Sequence, residues 1–244
     1  MRYLVISDLH ANIEALDTCL QDAARRGYDR TVVLGDVVGY GPDPNAVVER
    51  VIGLQPAAIV RGNHDKIAFG IDQAEGFNVA ARAAAQWTLD ALSPSVREWL
   101  VALPQGPTMV DGLFEICHGS PTDEDEYVFD EIDARRALGV AQRPLCLFGH
   151  THVALVFQLQ GRTMGLLTPP EEGLPLTEDA KYLVNPGSVG QPRDADPRAA
   201  YAIFDAEANR ISLYRVDYPI ERTQEKMAAA GLPEPLIRRL AAGR

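Results

Sequence analysis

Cysteine is scarce in this chain, and Cys19, Cys117 and Cys146 are odd in number, widely separated and set among apolar residues. That pattern argues against a disulfide framework or a thiolate zinc cluster and for buried, reduced thiols. Long apolar runs are missing too. The longest, such as Ala57 to Val60 and Leu145 to Phe148, fall far short of the roughly 20 residues a membrane helix needs, so no bilayer span is expected. Positive charge is also in short supply: 23 Lys and Arg face 34 Asp and Glu, a formal net charge of −11. Such a field repels polyanions and excludes duplex nucleic acid as the expected partner. No signal peptide is expected either, because acidic Asp8 follows Met1-Arg2-Tyr3-Leu4-Val5-Ile6 at once with no small-residue cleavage site. The opening segment reads as a first strand, and the cytoplasm is the expected compartment.

What is present suits a folded enzyme-sized domain. Hydrophobic residues make up 46% of the 244 and charged residues 23%, enough for one well-cored domain spanning 1–244. Up to Cys117, short apolar runs (Tyr3 to Ile6, Thr31 to Leu34, Ala57 to Val60) alternate with helical periodicity. Asn12 is placed to cap a helix with Ile13, Leu16, Leu20 and Ala23 on one face, and Arg25-Arg26-Gly27 closes it. A helical insert is expected over about 66–109. It would hold one helix from about Asn78 to Ala91 and another capped by Ser93, with Trp87, Leu92, Trp99 and Leu100 packing the two together. From Phe114 onward strands dominate, implying a second, more antiparallel sheet, and a helical tail over about 219–244 is broken at Gly231-Leu232-Pro233.

The chemistry lies in five polar clusters: Asp8-Leu9-His10, Gly35-Asp36, Gly62-Asn63-His64-Asp65, His118-Gly119 and Gly149-His150-Thr151-His152. Each follows a strand-like run, and loops at the carboxyl ends of strands converge on one crevice. All five histidines of the chain fall in these clusters, where chance would scatter them. Strand alternation would put Asp8 and His10 on one side, and likewise His150 and His152. The seven candidate ligands Asp8, His10, Asp36, Asn63, His118, His150 and His152 are too many for one tetrahedral ion. Two ions sharing a bridging carboxylate would use them all. Oxygen and imidazole donors without thiolate suit Mn²⁺, taken here as the first expectation, or Fe, Zn, Co or Ni.

The ordered motifs D-x-H, G-D, G-N-H-D, H and G-H-x-H, spanning Met1 to about Arg193, resemble the calcineurin-like metallophosphoesterase superfamily. That resemblance implies a four-layer α/β/β/α sandwich with two mixed sheets flanked by helices. It further implies that Asp8, His10 and His152 bind one metal, that Asn63, His118 and His150 bind the other, and that Asp36 bridges them. His64 is left as the catalytic residue, facing the phosphate, and the implied activity is hydrolysis of phosphoesters. The stretch Asn185 to Arg193 is similar to the family's turn beside the site, where Arg193 could form a fork to substrate phosphate.

Serine/threonine protein phosphatases of the superfamily carry G-D-x-x-D-R-G and G-N-H-E, whereas this chain reads Gly35-Asp36-Val37-Val38-Gly39-Tyr40-Gly41 and ends its other motif in Asp65. The phosphate-binding arginine is absent. Gly39 replaces the aspartate that orients the histidine there, leaving Asp65 or Asp43 for that task, or nothing. Small-molecule phosphodiesterases and phosphatases of bacteria are the better match, with a small phosphoester or nucleotide as substrate. Diadenosine-polyphosphate hydrolase and protein phosphatase are the alternatives, and a non-catalytic scaffold like the retromer subunit of this fold is the rival from another class.

Overall fold

The computed structural model describes residues 1–70 and 76–244. β1 (Arg2–Ile6) shows how the layers arise. Its alternate residues Tyr3 and Val5 face the gap between two sheets, while Leu4 and Ile6 face helices on the outside. Helix α1 (Ile13–Arg26) begins as its sequence dictates: Asn12 Oδ1 accepts from the Ala15 amide at 3.1 Å. It stops at Gly27, whose φ of 81° favours glycine.

The first sheet also contains β2 (Arg30–Val33), β3 (Ala58–Ile59), β9 (Leu174–Pro175), β11 (Ala199–Asp205) and β12 (Arg210–Val216), in the order β3-β2-β1-β11-β12-β9. β1, β2 and β3 are parallel, and β11 runs antiparallel to β1. The second sheet contains β4 (Thr108–Val110), β5 (Phe114–Ile116), β6 (Leu145–Leu147), β7 (Leu155–Gln160), β8 (Thr163–Leu167) and β10 (Ala180–Asn185). Its order is β4-β5-β6-β10-β7-β8, with both parallel and antiparallel pairs. Between the sheets, Tyr3, Val5, Val32 and Leu34 pack on Phe114, Ile116, Leu147 and Tyr182. α1 and α2 (Pro44–Leu54) cover the first sheet, and α5 (Glu131–Val140) covers the second. This is the four-layer α/β/β/α sandwich, with two mixed six-stranded sheets.

The strands after Phe114 do not all join the second sheet. β11 and β12 return to extend the first, because Ala199-Ala200-Tyr201-Ala202-Ile203-Phe204 is apolar on both faces and needs a central position. α2 supplies the helical periodicity expected between the runs Thr31 to Leu34 and Ala57 to Val60, whereas α5 went unread in the sequence. The apolar face of α5 is little more than Ala134, Ala137 and Leu138. In the 66–109 stretch, α3 (Val79–Ala91) and α4 (Pro94–Val101) begin at Asn78 and Ser93, whose side chains cap them. Trp87 does not pack with Trp99. It joins a cluster with Tyr40 and the tail helices α6 (Ile220–Ala229) and α7 (Glu234–Ala242), while Leu92 and Trp99 pack on the core beneath α1. Cys117 and Cys146 are buried with Sγ atoms 3.8 Å apart, and all three cysteines are unbridged. No helix among the described residues is long and apolar enough to cross a membrane.

Candidate metal centre

The loops after β1, β2, β3, β5 and β6 meet at one rim. Strand alternation is not what aims the side chains: β1 ends at Ile6 and β6 at Leu147, before the ligand pairs begin. Asp8, His10, Asp36, His150 and His152 instead have φ of 53°, 45°, 52°, 67° and 61°. Each such residue costs roughly 1–3 kcal/mol unless its surroundings hold it. Backbone hydrogen bonds between the loops do so: Asp8 N to Gly35 O at 3.0 Å, His10 N to Asp36 O at 2.9 Å, and Gly149 N to His118 O at 2.8 Å.

The result is two groups of converging donor atoms that share one carboxylate. Asp8, His10, Asp36 and His152 form one, and Asp36, His118 and His150 the other, the ligand atoms of each lying within 4.8 Å of one another. Asn63 Oδ1 lies 3.2 Å from His118 Nε2 and so joins the second group. Asp36 Oδ1 accepts from the His64 amide at 2.8 Å, and Oδ2 faces His10 Nε2 at 3.5 Å and His118 Nε2 at 3.4 Å. The seven sequence-predicted ligands are thus neighbours, and six of them are buried.

The donor set fits cations. Backbone carbonyls of Val38, Leu34 and Gln191 lie 3.2, 2.7 and 2.6 Å from Nδ1 of His10, His118 and His152. A carbonyl only accepts, so each Nδ1 carries a hydrogen, which in the neutral ring leaves Nε2 to turn its lone pair inward. His10 Nε2 and His152 Nε2 are 3.0 Å apart, a contact of two lone pairs that a cation would relieve. Asp36 Oδ2 and His150 Nε2 are buried without a hydrogen-bond partner. Burial lowers the pKa of His150 to about 3 and holds His10 and His152 well below the usual imidazole range, which keeps them neutral as ligation requires. Burial alone would lower His118 too, but the Asp36 charge beside it outweighs burial and raises the ring to about 10.

His64 takes its position from packing. Neither carboxylate considered for orienting it reaches the ring: Asp65 accepts from the Val38 and Gly62 amides at 3.1 and 2.8 Å, and Asp43 pairs with Lys226. The ring lies instead against Tyr40, Phe77 and His10, with centroids at 4.3, 4.4 and 5.0 Å. Gly39 is the platform beneath it. A Cβ there would sit 2.5 Å from His64 Nδ1, and φ is +93°. The glycine that stands where protein phosphatases have aspartate is therefore required by this packing.

Arg193 has no carboxylate partner among the described residues and donates to Gln191 Oε1 at 2.8 and 3.2 Å. A cavity of about 220 Å³ adjoins the centre, lined by Asn63, Lys66, Phe77, Asp125, Tyr127 and His150. Tyr127 stacks on His150 with centroids 3.9 Å apart, and Phe129 stacks on Tyr127. Sequence reasoning missed Tyr40, which sits inside the Gly35 to Gly41 stretch, and Phe77 and Tyr127, which carry no motif. Gln191 lies within the Asn185 to Arg193 stretch but has no charge to single it out.

This fold and this cluster define a class. The chain belongs to the calcineurin-like phosphoesterase superfamily, whose domain model matches residues 1–209. Among solved structures it is similar to a metallophosphoesterase from Sphaerobacter thermophilus, 42% identical, with a TM-score of 0.87 over 100% of this chain and 99% of that one. A hypothetical protein from Pyrococcus horikoshii shares the fold at 21% identity, with a TM-score of 0.81 over 100% of this chain and 98% of its own. In sequence the chain is 37% identical over 250 residues to an uncharacterized protein of Methanocaldococcus jannaschii, covering 98% of this chain and 97% of that protein.

Proposed function

We propose that the chain hydrolyses small phosphoesters with two divalent ions, held as one set by Asp8, His10 and His152 and as the other by Asn63, His118 and His150, with Asp36 between them. The observation that carries this reading is Asp36 Oδ2, buried, unpartnered and flanked by one histidine of each set. When bound, such a pair of ions polarises phosphoryl oxygens and acidifies water. The protein's own residues orient the reaction. Asp8 is held by Ser7 Oγ at 2.6 Å and by the His150 amide at 3.1 Å, so its carboxyl group is pinned where a cation would lie. His64 stands beside Asn63 and reaches toward the phosphate.

Burial lowers the pKa of His64 to about 4, which leaves the ring neutral near pH 7 before substrate arrives. In that state it donates a hydrogen bond to a phosphoryl oxygen, and full proton transfer to the leaving oxygen draws on the anionic phosphate to lift its pKa. The 220 Å³ cavity and its aromatic wall suit a small ester better than a protein surface. The donor types admit Mn²⁺, Fe, Zn, Co or Ni without choosing among them, with Mn²⁺ the metal to try first, and the substrate is a small phosphoester or nucleotide. Parallel assays of a chromogenic phosphomonoester and phosphodiester, each with Mn²⁺, Fe²⁺, Zn²⁺, Co²⁺ and Ni²⁺, test this reading. Turnover of at least one ester that vanishes with chelator is expected, and none with any metal contradicts it.

A further inference from the structure

Two arginines converge on one neutral oxygen beside the metal centre. Gln191 Oε1 accepts from Arg193 Nη2 at 2.8 Å, from Arg193 Nε at 3.2 Å and from Arg239 Nη1 at 3.2 Å. Nearby acids are engaged elsewhere: Asp194 pairs with Arg215, Asp196 with Arg198, and Glu234 with Arg238. Among the described residues no carboxylate pairs with Arg193 or Arg239. Gln191 is only 1% exposed, and its Nε2 has no acceptor. The Gln191 oxygen is thus the one side-chain acceptor that these guanidinium donors share, and the cluster carries two like charges. Burial first, and the Arg193 charge second, depress the pKa of Arg239. Half-buried like charges around a neutral amide are completed by an anion, and guanidinium forks match phosphate oxygens in geometry.

The cluster also touches the centre. The Gln191 carbonyl accepts from His152 Nδ1 at 2.6 Å, and the Arg193 amide donates to the His152 carbonyl at 3.2 Å. The Arg193 guanidinium lies 5.6 Å from the centre of the Tyr40 ring, which itself packs on His10 and His64.

We propose that Arg193, Arg239 and the Gln191 amide form an oxyanion subsite that holds a phosphate group of the substrate beside the metal centre. Arg239 comes from α7, beyond residue 209 where the family match ends, so the tail helices supply part of the site. The substrate assignment rests on the phosphoesterase reading above, whereas the anion binding does not.

The test is calorimetric titration of inorganic phosphate into chelator-treated, metal-free protein. Arg239→Gln is expected to weaken phosphate binding at least about tenfold, with partial recovery in Arg239→Lys. Gln191→Glu places a carboxylate between the two arginines. It should abolish phosphate binding while raising the melting temperature of the phosphate-free protein, and it carries the test if the arginine variants fail to fold. Equal phosphate affinity in wild type, Arg239→Gln and Gln191→Glu overturns the subsite. In metal-loaded enzyme, a higher KM of Arg239→Gln for nitrophenyl phosphate assigns the subsite to the hydrolysed phosphate. A higher KM only for a nucleoside diphosphate assigns it to a neighbouring phosphate, and either result supports the proposal. Protein that binds phosphate through Arg239 yet hydrolyses no ester would refute the proposed function and leave the subsite standing.

Discussion

His64 is held by three rings and a glycine, with no carboxylate behind it. That arrangement separates its role from metal binding, since His64 is absent from both donor groups. His64→Ala is expected to keep its metal content while losing roughly 10²–10⁴-fold in turnover, and the deficit should shrink for esters with very acidic leaving groups. Parallel metal analysis and kinetics with a nitrophenyl and an alkyl ester check this. Activity lost in step with metal removes His64 from the chemistry, and an equal deficit for both esters removes only proton transfer. Gly39→Ala tests the packing from the other side. Its Cβ would displace the imidazole, so turnover should fall roughly 10²-fold with the metals retained.

Among the elements, α1 and β11 are joined by a buried carboxylate. Asp22 on α1 accepts from Tyr201 Oη on β11 at 2.5 Å, from Arg26 Nε at 2.7 Å and from Arg25 Nη2 at 2.9 Å. Burial pushes the Asp22 carboxyl up, but these hydrogen bonds overcome it and hold the pKa at about 2. A depressed carboxylate contributes stability that is complete above pH 4 and lost as pH falls through about 2. The contribution is about 2 kcal/mol. Asp22→Asn should therefore lower stability at pH 7 and flatten its decline between pH 4 and 2. Urea melts across that range measure this, and an unchanged acid limb would show that the link carries no weight. α1 itself was plain in the sequence because Asn12, the apolar stripe and Gly27 all agree. β11 was visible as a strand but not as a partner of β1, because sheet membership depends on contacts some 200 residues away in sequence.

Across the whole molecule, the cluster of candidate ligands was legible because histidine is rare in this chain and recurs after strands. Four histidines, two aspartates and an asparagine marked it, with the fifth histidine, His64, beside them. Their aim was not legible, since it comes from left-handed backbone at Asp8, His10, Asp36, His150 and His152, which alternation cannot foresee. The packing around His64 and the contribution of α7 were equally hidden, because Tyr40, Phe77 and Arg239 look ordinary until the chain is folded. With Asp8, Asp36 and opposed imidazoles gathered at one rim, metal removal should destabilise the whole fold. Each ion site adds about 2.7 kcal/mol at a free concentration a hundredfold above its Kd, so chelation should lower the melting temperature and re-addition restore it.

If Asp36 joins two metal sites, metal stoichiometry will show it. Elemental analysis and calorimetric titration should find about two divalent ions per wild-type chain. In Asp36→Asn both sites should weaken together, because the lost charge faces His10 in one set and His118 in the other. A variant that keeps one site at full affinity, or a wild-type chain that never binds more than one ion, would mean that Asp36 does not join two sites.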